Sequence, residues 1–365
     1  MKILIPITGF GKAGGFRVLS ELANHWVKSR NQVSFLVDAR SPKPYFPTTA
    51  SIMAYDRNGI LKAGNEKILG QSRFEKSGNA YSMYIGMWRA LKQIGSEYDV
   101  ILANHSLTAF PVALSRAKAR KFYYVQAYEP EYYSLTSGLK GRLLEFLSGL
   151  SYRLSLEQVA NAPIYINYKQ ISAKDWIPPG IDKELFFRRS EQPRFASGKP
   201  YKIGVIGRHE PTKGTQYVLA AFRSLAEIDP DVELKVAFGN LPAGWTHPRA
   251  EVIKIQGDGE LAKFYREIDI LVAPGTVQLG ACHYPVLEAM SCGTPVITTG
   301  YLPANEANAF IVPIHDSTAI EKAIFKIKSM DPYKLAVKLN NASCDVKSFG
   351  WKEVSNKFVR VMGCR

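Results

Sequence analysis

Short apolar runs alternate with helical periods along this chain. Residues 2–7 form a β-rich run, Lys2-Ile3-Leu4-Ile5-Pro6-Ile7, closed by a glycine-rich stretch at 9–15. Residues 16–30 then carry Val18, Leu19, Leu22, Ala23 and Trp26 at helical spacing, which predicts a helix with one buried face. Residues 33–37 read as a second strand, 98–103 and 122–126 as further buried strands, and 83–95 and 139–154 as helices. Runs of this kind predict strands covered on both faces, hence a parallel sheet with helices on each side.

The rhythm then restarts. Pro178-Pro179-Gly180 breaks the stretch 163–180, and 193–200 is polar and punctuated by proline. A fresh strand follows at 202–206, then a Gly/Pro/Lys loop and a helix at 215–228. Further strands are expected at 233–238, 252–255, 270–272 and 295–298. Two similar α/β domains are expected, 1–170 and 171–348, with a linker near 170–200. No run reaches the roughly 18–20 apolar residues of a spanning helix. The first run reads as a buried strand, not a signal peptide.

Composition adds one unusual feature. The chain has 365 residues, 46% hydrophobic and 22% charged, the make-up of a folded globular protein. Disordered, collagen-like and disulfide-scaffold proteins are excluded. The charge, however, is 47 Lys+Arg against 32 Asp+Glu, a net +15, with most of the surplus in residues 1–180. Such a surplus predicts an anionic partner: nucleic acid, a membrane surface or a phosphorylated substrate. Nucleic acid ranks last, because the basic residues are dispersed and no helix-turn-helix, finger or RNP-like motif is present. The four cysteines (Cys282, Cys292, Cys344, Cys364) form no CxxC pair, and no His cluster has zinc spacing, so a reduced, cytoplasmic compartment is expected.

Gly9-Phe10-Gly11-Lys12-Ala13-Gly14 fits G-x-G-x-x-G between a strand and a helix. Asp38 closes the second strand, where a ribose-binding acid of a dinucleotide fold would stand. This supports an NAD(P)-dependent oxidoreductase. The physics is more general, since glycines permit close approach and a helix N-terminus favours any phosphate.

Four stretches of the second half carry a more specific signal. They are Trp176-Ile177-Pro178-Pro179-Gly180-Ile181-Asp182 with Phe186; Gly204-Val205-Ile206-Gly207-Arg208 with Lys213-Gly214; the segment 251–274 with Gly257, Leu261, Tyr265, Asp269 and Pro274; and Pro285-Val286-Leu287-Glu288-Ala289-Met290-Ser291-Cys292-Gly293-Thr294-Pro295. In this order they resemble the GT-B glycosyltransferases of family GT4, which are retaining and nucleotide-sugar dependent. The likeness extends to Ala13-Gly14-Gly15-Phe16-Arg17 and to Phe349-Gly350-Trp351. It is nearest to bacterial surface-polysaccharide transferases of rhamnosyltransferase type.

The resemblance implies an α/β fold of GT-B type: two Rossmann-like parallel-sheet domains facing a cleft, with a C-terminal helix, about 349–365, crossing back to the first domain. It implies a nucleoside-diphosphate sugar as donor and a saccharide or lipid-linked acceptor. Catalytic roles fall to His105, Arg208 and Lys213. Arg208 and Lys213 would take the charge that develops on the leaving diphosphate, and His105 would position the donor sugar. Donor binding falls to Gly14, Gly15, Gly207, Gly280, Ala281, Cys282, His283 and Glu288, with Glu288 on the ribose hydroxyls. Tyr128 and Glu129, in Gln126-Ala127-Tyr128-Glu129-Pro130-Glu131-Tyr132-Tyr133, are acceptor candidates, since rings stack on sugar faces and carboxylates take hydroxyls. No cofactor and no metal are expected, and Asp229-Pro230-Asp231 reads as turn chemistry. Gly280 stands where the family carries its first glutamate, and no acid lies in 278–285. A GT-B sugar-nucleotide epimerase remains a rival. The basic first half, with Arg116, Lys118, Arg120, Lys121, Lys140 and Arg142 near Leu143-Leu144 and Phe146-Leu147, predicts a peripheral seat on the inner face of an anionic membrane.

Overall fold

The computed structural model describes residues 1–63, 80–190, 195 and 198–363. Cys364 and part of the polar stretch 193–200 lie outside the described residues. The chain forms two compact units, Met1–Gly180 with Trp351–Arg365, and Ile181–Gly350.

In the first unit the elements run β1 (Lys2–Ile7), α1 (Gly14–Lys28), β2 (Gln32–Asp38), β3 (Ser51–Tyr55), β4 (Leu61–Ala63), α2 (Ala80–Ile94), β5 (Val100–Ala103), α3 (Ser106–Leu114), β6 (Arg120–Val125), α4 (Glu129–Ser134), α5 (Leu139–Ser151), β7 (Glu157–Ala160), α6 (Pro163–Ile166) and β8 (Asp175–Trp176). Among the described residues the sheet order is β4-β3-β2-β1-β5-β6-β7-β8. The β5 and β6 positions that were read as buried are so, and Trp26, at the end of the apolar stripe on α1, is fully inside.

One edge departs from the expected parallel arrangement. β4 pairs antiparallel with β3, Tyr55 opposite Leu61. The turn between them explains it. The Asp56 carboxylate accepts from the Asn58 and Ile60 N–H groups, and Gly59 takes φ +79. That is hairpin chemistry, in which a left-handed glycine costs little.

The last helix, Trp351–Gly363, packs in this unit. Phe358 meets the Trp26 ring edge-on at 5.7 Å and the Tyr124 ring at 4.8 Å. The Trp26 indole N–H donates to the Ser355 carbonyl at 3.2 Å. Gly180 is required here, because a Cβ would lie 2.3 Å from the Trp351 ring.

The second unit holds β9 (Tyr201–Ile206), α7 (Thr215–Ile228), β10 (Val232–Ala237), β11 (Ala250–Ile253), α8 (Asp258–Glu267), β12 (Ile270–Ala273), α9 (Tyr284–Ser291), β13 (Val296–Thr298), β14 (Phe310–Ile311), α10 (Ser317–Lys328) and α11 (Pro332–Asp345). Its sheet, order β11-β10-β9-β12-β13-β14, is parallel at every pairing. β11 starts two residues before the expected strand at 252. Gly204 lets β9 sit against α8, since a Cβ there would meet Ile268 at 2.2 Å. Among the described residues, no helix is long and apolar enough to cross a membrane.

Each sheet has a point where the strand order reverses. In the first it falls between β1 and β5, in the second between β9 and β12. In open α/β sheets the crevice outside the strand ends at such a point is where ligands bind.

Candidate functional site

The second unit's reversal point gathers most of the predicted donor residues. Two loops flank it. The first follows β9 and holds Gly207, Arg208, Lys213 and Gly214. The second follows β12 and runs to His283 at the N-cap of α9. The Thr276 N–H donates to the Thr212 carbonyl at 2.9 Å, which pins the loops together. Gly214, at φ +75, leaves no room for a side chain, because a Cβ would come within 2.1 Å of the Pro274 carbonyl oxygen.

Arg208 and Lys213 have no carboxylate partner within ion-pair distance among the described residues. Burial, and then the neighbouring Arg208 charge, lower the Lys213 pKa. Two like charges held together and offset only in part, by Glu210 near Lys213, meet the physical requirement of an anion site: a doubly charged oxyanion group would relieve both. His283 feels the same field. Burial, then Lys213 and Arg208, push its imidazole pKa down to about 3, so the ring is neutral. Its Nδ1 is buried without a hydrogen-bond partner, and the ring packs on Tyr301 at 4.8 Å.

Other predicted donor residues take different roles. The Gly207 N–H is committed to the Ala237 carbonyl, and its own carbonyl accepts from Asn240. Gly207 therefore supplies clearance, not an N–H for a ligand. The N–H groups of Gly280 and Ala281 go to the carbonyls of Gly300 and Gln278, so these two amides are not open to a donor sugar either. Gly280 has φ +90, a conformation that explains the glycine. Burial pushes the Cys282 thiol well up, which keeps it protonated.

Glu288 is 1% exposed, and its Oε2 accepts from the Tyr265 hydroxyl at 2.9 Å. It is the fifth residue of α9, beyond the first turn, so it does not serve as a dipole-complementing N-terminal acid. Asp229 caps the end of α7. Its carboxylate takes the Tyr201 hydroxyl and the Lys328 ammonium, in keeping with a turn and not a metal ligand.

In the first unit, Gly14 and Gly15 open α1, whose N-cap Ala13 offers no side-chain cap. A Cβ on Gly15 would approach the Gln126 side chain at 3.2 Å. The dinucleotide reading loses its acid here. Asp38 is 4% exposed and forked by Arg40, with Nε and Nη2 each at 2.8 Å, so no carboxylate is left to take a ribose.

His105 follows β5 and caps α3. Its Nδ1 accepts from the Leu107 N–H at 3.2 Å. The ring proton of the neutral form therefore sits on Nε2. Nε2 lies 3.5 Å from Glu129 Oε2 and 3.4 Å from the Tyr133 hydroxyl. Glu129 is itself tied to Ser106, by the backbone N–H at 3.0 Å and by a very short hydroxyl bond. Burial and the Glu129 charge raise the Tyr133 phenol to about 12, and burial, then Tyr133 and Glu129, lift Tyr84 further.

Tyr128 and Glu129, expected to act together, point to different places. Tyr128 donates to Gln170 Oε1 at 2.9 Å and stacks on Tyr152 and Tyr168. Extended backbone at Tyr128 followed by the start of α4 at Glu129 sends the neighbours apart. Tyr84 joins the His105 cluster with no signal in the sequence, whereas Tyr133 lay within the aromatic–acid stretch.

Residues 200–329 match the family model described as Glycosyl transferases group 1. These residues are similar to group 1 glycosyltransferase domains. The D-inositol 3-phosphate glycosyltransferase of Saccharomonospora viridis is 26% identical to this chain over 212 residues, 51% of this chain and 48% of that protein. The chain thus spans about half the length of the curated relatives it matches. Among solved structures, sucrose-phosphate synthase from Thermosynechococcus elongatus aligns over 99% of this chain and 98% of its own, with TM-score 0.74 and 17% identity. HepE from Anabaena, in complex with UDP and glucose, aligns over 100% of both chains with TM-score 0.71 and 17% identity. These structural likenesses give the chain the GT-B fold.

Proposed function

We propose that this protein is a retaining glycosyltransferase that moves a sugar from a nucleoside-diphosphate donor to a saccharide or lipid-linked acceptor. The observation that carries it is the unpartnered Arg208–Lys213 pair beside a neutral His283. As the bond from the sugar's anomeric carbon to the diphosphate oxygen breaks, negative charge grows on the leaving group. Fixed cations stabilise that charge without reorganising. Arg208 can fork onto two oxygens, while Lys213 acts as a point charge. The acceptor oxygen forms the new bond on the same face, and its proton passes to the leaving phosphate. That route gives an α-linked product from an α-linked donor. It assigns no step to a metal, because the two side chains supply the countercharge. Glu288 holds the donor ribose, and His105, with its Nε2–H directed by Glu129 and Tyr133, contacts the donor sugar.

The setting we infer is bacterial cell-surface polysaccharide synthesis, with the protein peripheral on the inner membrane face. The basic surplus supports this. A polyol-phosphate acceptor is the second reading, favoured by the name of the Saccharomonospora relative. A binding screen with UDP, GDP, ADP and NAD, followed by product mass spectrometry, tests the proposal. Saturable nucleoside-diphosphate binding and a sugar-extended acceptor are expected. NAD binding with no response to any nucleoside diphosphate would overturn it.

A further inference from the structure

A second pocket lies in the first unit, apart from the His105 cluster. Its volume is about 380 Å³, and α5 forms one wall, with Tyr128 and Gln170 opposite. Arg142, Arg153 and Glu145 supply its charge, and Phe146 its rim. Neither arginine has an ion-pair partner among the described residues, although Glu145 shares the pocket. Two guanidinium groups against one carboxylate leave the lining itself positive, while Glu131 acts on its Tyr128 edge. The Gln170 oxygen takes the Tyr128 hydroxyl, and among the described residues its amide N–H groups have no acceptor. Gly149, on α5, faces Gln170, and a Cβ there would come within 3.2 Å of the Gln170 oxygen.

The surroundings are apolar and bare. Leu135, Leu139, Leu143 and Phe146 are 64%, 84%, 58% and 63% exposed. Leu139 and Leu143 are one helical turn apart on α5, and Phe146 continues the same strip, so they share a face. Leu144 and Leu147, also expected on this face, are half-buried. Arg120 is likewise withdrawn, forked onto Glu157 at 2.6 and 3.0 Å and donating to the Met362 carbonyl. The exposed patch is therefore narrower than the run of basic residues, and it centres on α5. Lys140 and Arg142 edge the apolar strip.

We propose that this pocket binds the phosphorylated, hydroxyl-bearing headgroup of an anionic membrane lipid. Arg142 and Arg153 take the phosphate, and Glu145 and Gln170 take headgroup hydroxyls. Leu139, Leu143 and Phe146 enter the acyl boundary. A soluble phosphate would use the arginines but would leave the apolar strip uncovered, and this favours the lipid. The inference rests on the membrane contact proposed above and adds a specific headgroup site to it.

Sedimentation of the full chain with vesicles tests it. Phosphatidylcholine vesicles containing phosphatidylglycerol are compared at low salt with phosphatidylcholine alone. The first should retain the protein and the second should not. Arg142→Gln with Arg153→Gln should lower the partition coefficient about thirty-fold, from the worth of two basic residues at an anionic surface. Gly149→Leu, which fills the pocket and leaves the charge unchanged, should also lower it. Lys28→Gln with Lys43→Gln, exposed and equal in charge, should change it less than about twofold. Melting temperatures and nucleoside-diphosphate binding of each variant confirm that folding and the donor site are intact. Equal losses in the arginine and lysine pairs would overturn the pocket while keeping the membrane contact. No retention of the wild type would overturn both. Release by glycerol 3-phosphate, at a concentration matching the anionic lipid, would reassign the pocket to a soluble phosphate.

Discussion

His105 Nε2 lies 3.5 Å from Glu129 Oε2, and the same carboxylate oxygen accepts from the Ser106 backbone N–H at 3.0 Å. One acid thus directs the imidazole and satisfies the first turn of α3. Glu129→Ala strips a partner from that N–H and should cost about 1–3 kcal/mol. Thermal denaturation should show a fall of several degrees, about 2–4 °C per kcal/mol for a unit of this size. Glu129→Gln keeps one oxygen and should lose less. An unchanged melting temperature in the alanine variant would separate Glu129 from α3.

Arg208→Ala and Lys213→Ala should each lower turnover about a hundredfold, the usual cost of a lost transition-state charge contact. Each should also reduce the thermal stabilisation by a nucleoside diphosphate, which for the wild type reaches about 2.7 kcal/mol at a hundredfold excess over Kd. Steady-state kinetics and melting curves check both. Near-wild-type turnover in the two variants would remove them from the site.

His283 makes stability acid-sensitive. Its folded pKa of about 3 lies below the ordinary histidine value. Between those two pH values the unfolded chain binds a proton that the folded chain does not. The contribution is therefore intact above about pH 6.5 and is lost as pH falls toward 3. His283→Asn should flatten the decline in melting temperature between about pH 7 and 4. Parallel curves for wild type and variant would contradict the burial of this ring beside Lys213.

Gly280 tests whether an acid can be restored to the donor loop. At φ +90 any side chain is strained by about 1–2 kcal/mol. Gly280→Ala and Gly280→Glu should destabilise to a similar extent, and the glutamate should not raise turnover. A more active, equally stable Gly280→Glu would show that the loop accepts the acid.

Much of this architecture was written in short-range pattern. The buried runs at 2–7, 33–37 and 202–206, and the helical stripe ending at Trp26, report burial directly, because burial sets the spacing of apolar side chains within one element. The residue types at Arg208 and Lys213 were legible for a related reason, since they sit in a loop framed by glycine and proline, and Glu288 was legible from the motif that ends in Cys292-Gly293-Thr294-Pro295. The β4 hairpin was not read, because its three-residue strand is too short to show a period.

Partnership was decided only by the tertiary structure. Asp38 looked like a ribose acid until Arg40 folded back onto it. Tyr128 and Glu129 are neighbours in sequence, yet one lines the α5 pocket and the other faces His105. Glu288 found Tyr265, 23 residues away, and His283 lost its charge to burial and, less, to cations some 70 residues earlier. The sequence by itself determined which side chains are apolar, charged or free of a Cβ, and in what period. Which of those charges remain unpaired depends on contacts between distant segments, and that is what makes Arg208 and Lys213 candidates for an anion site.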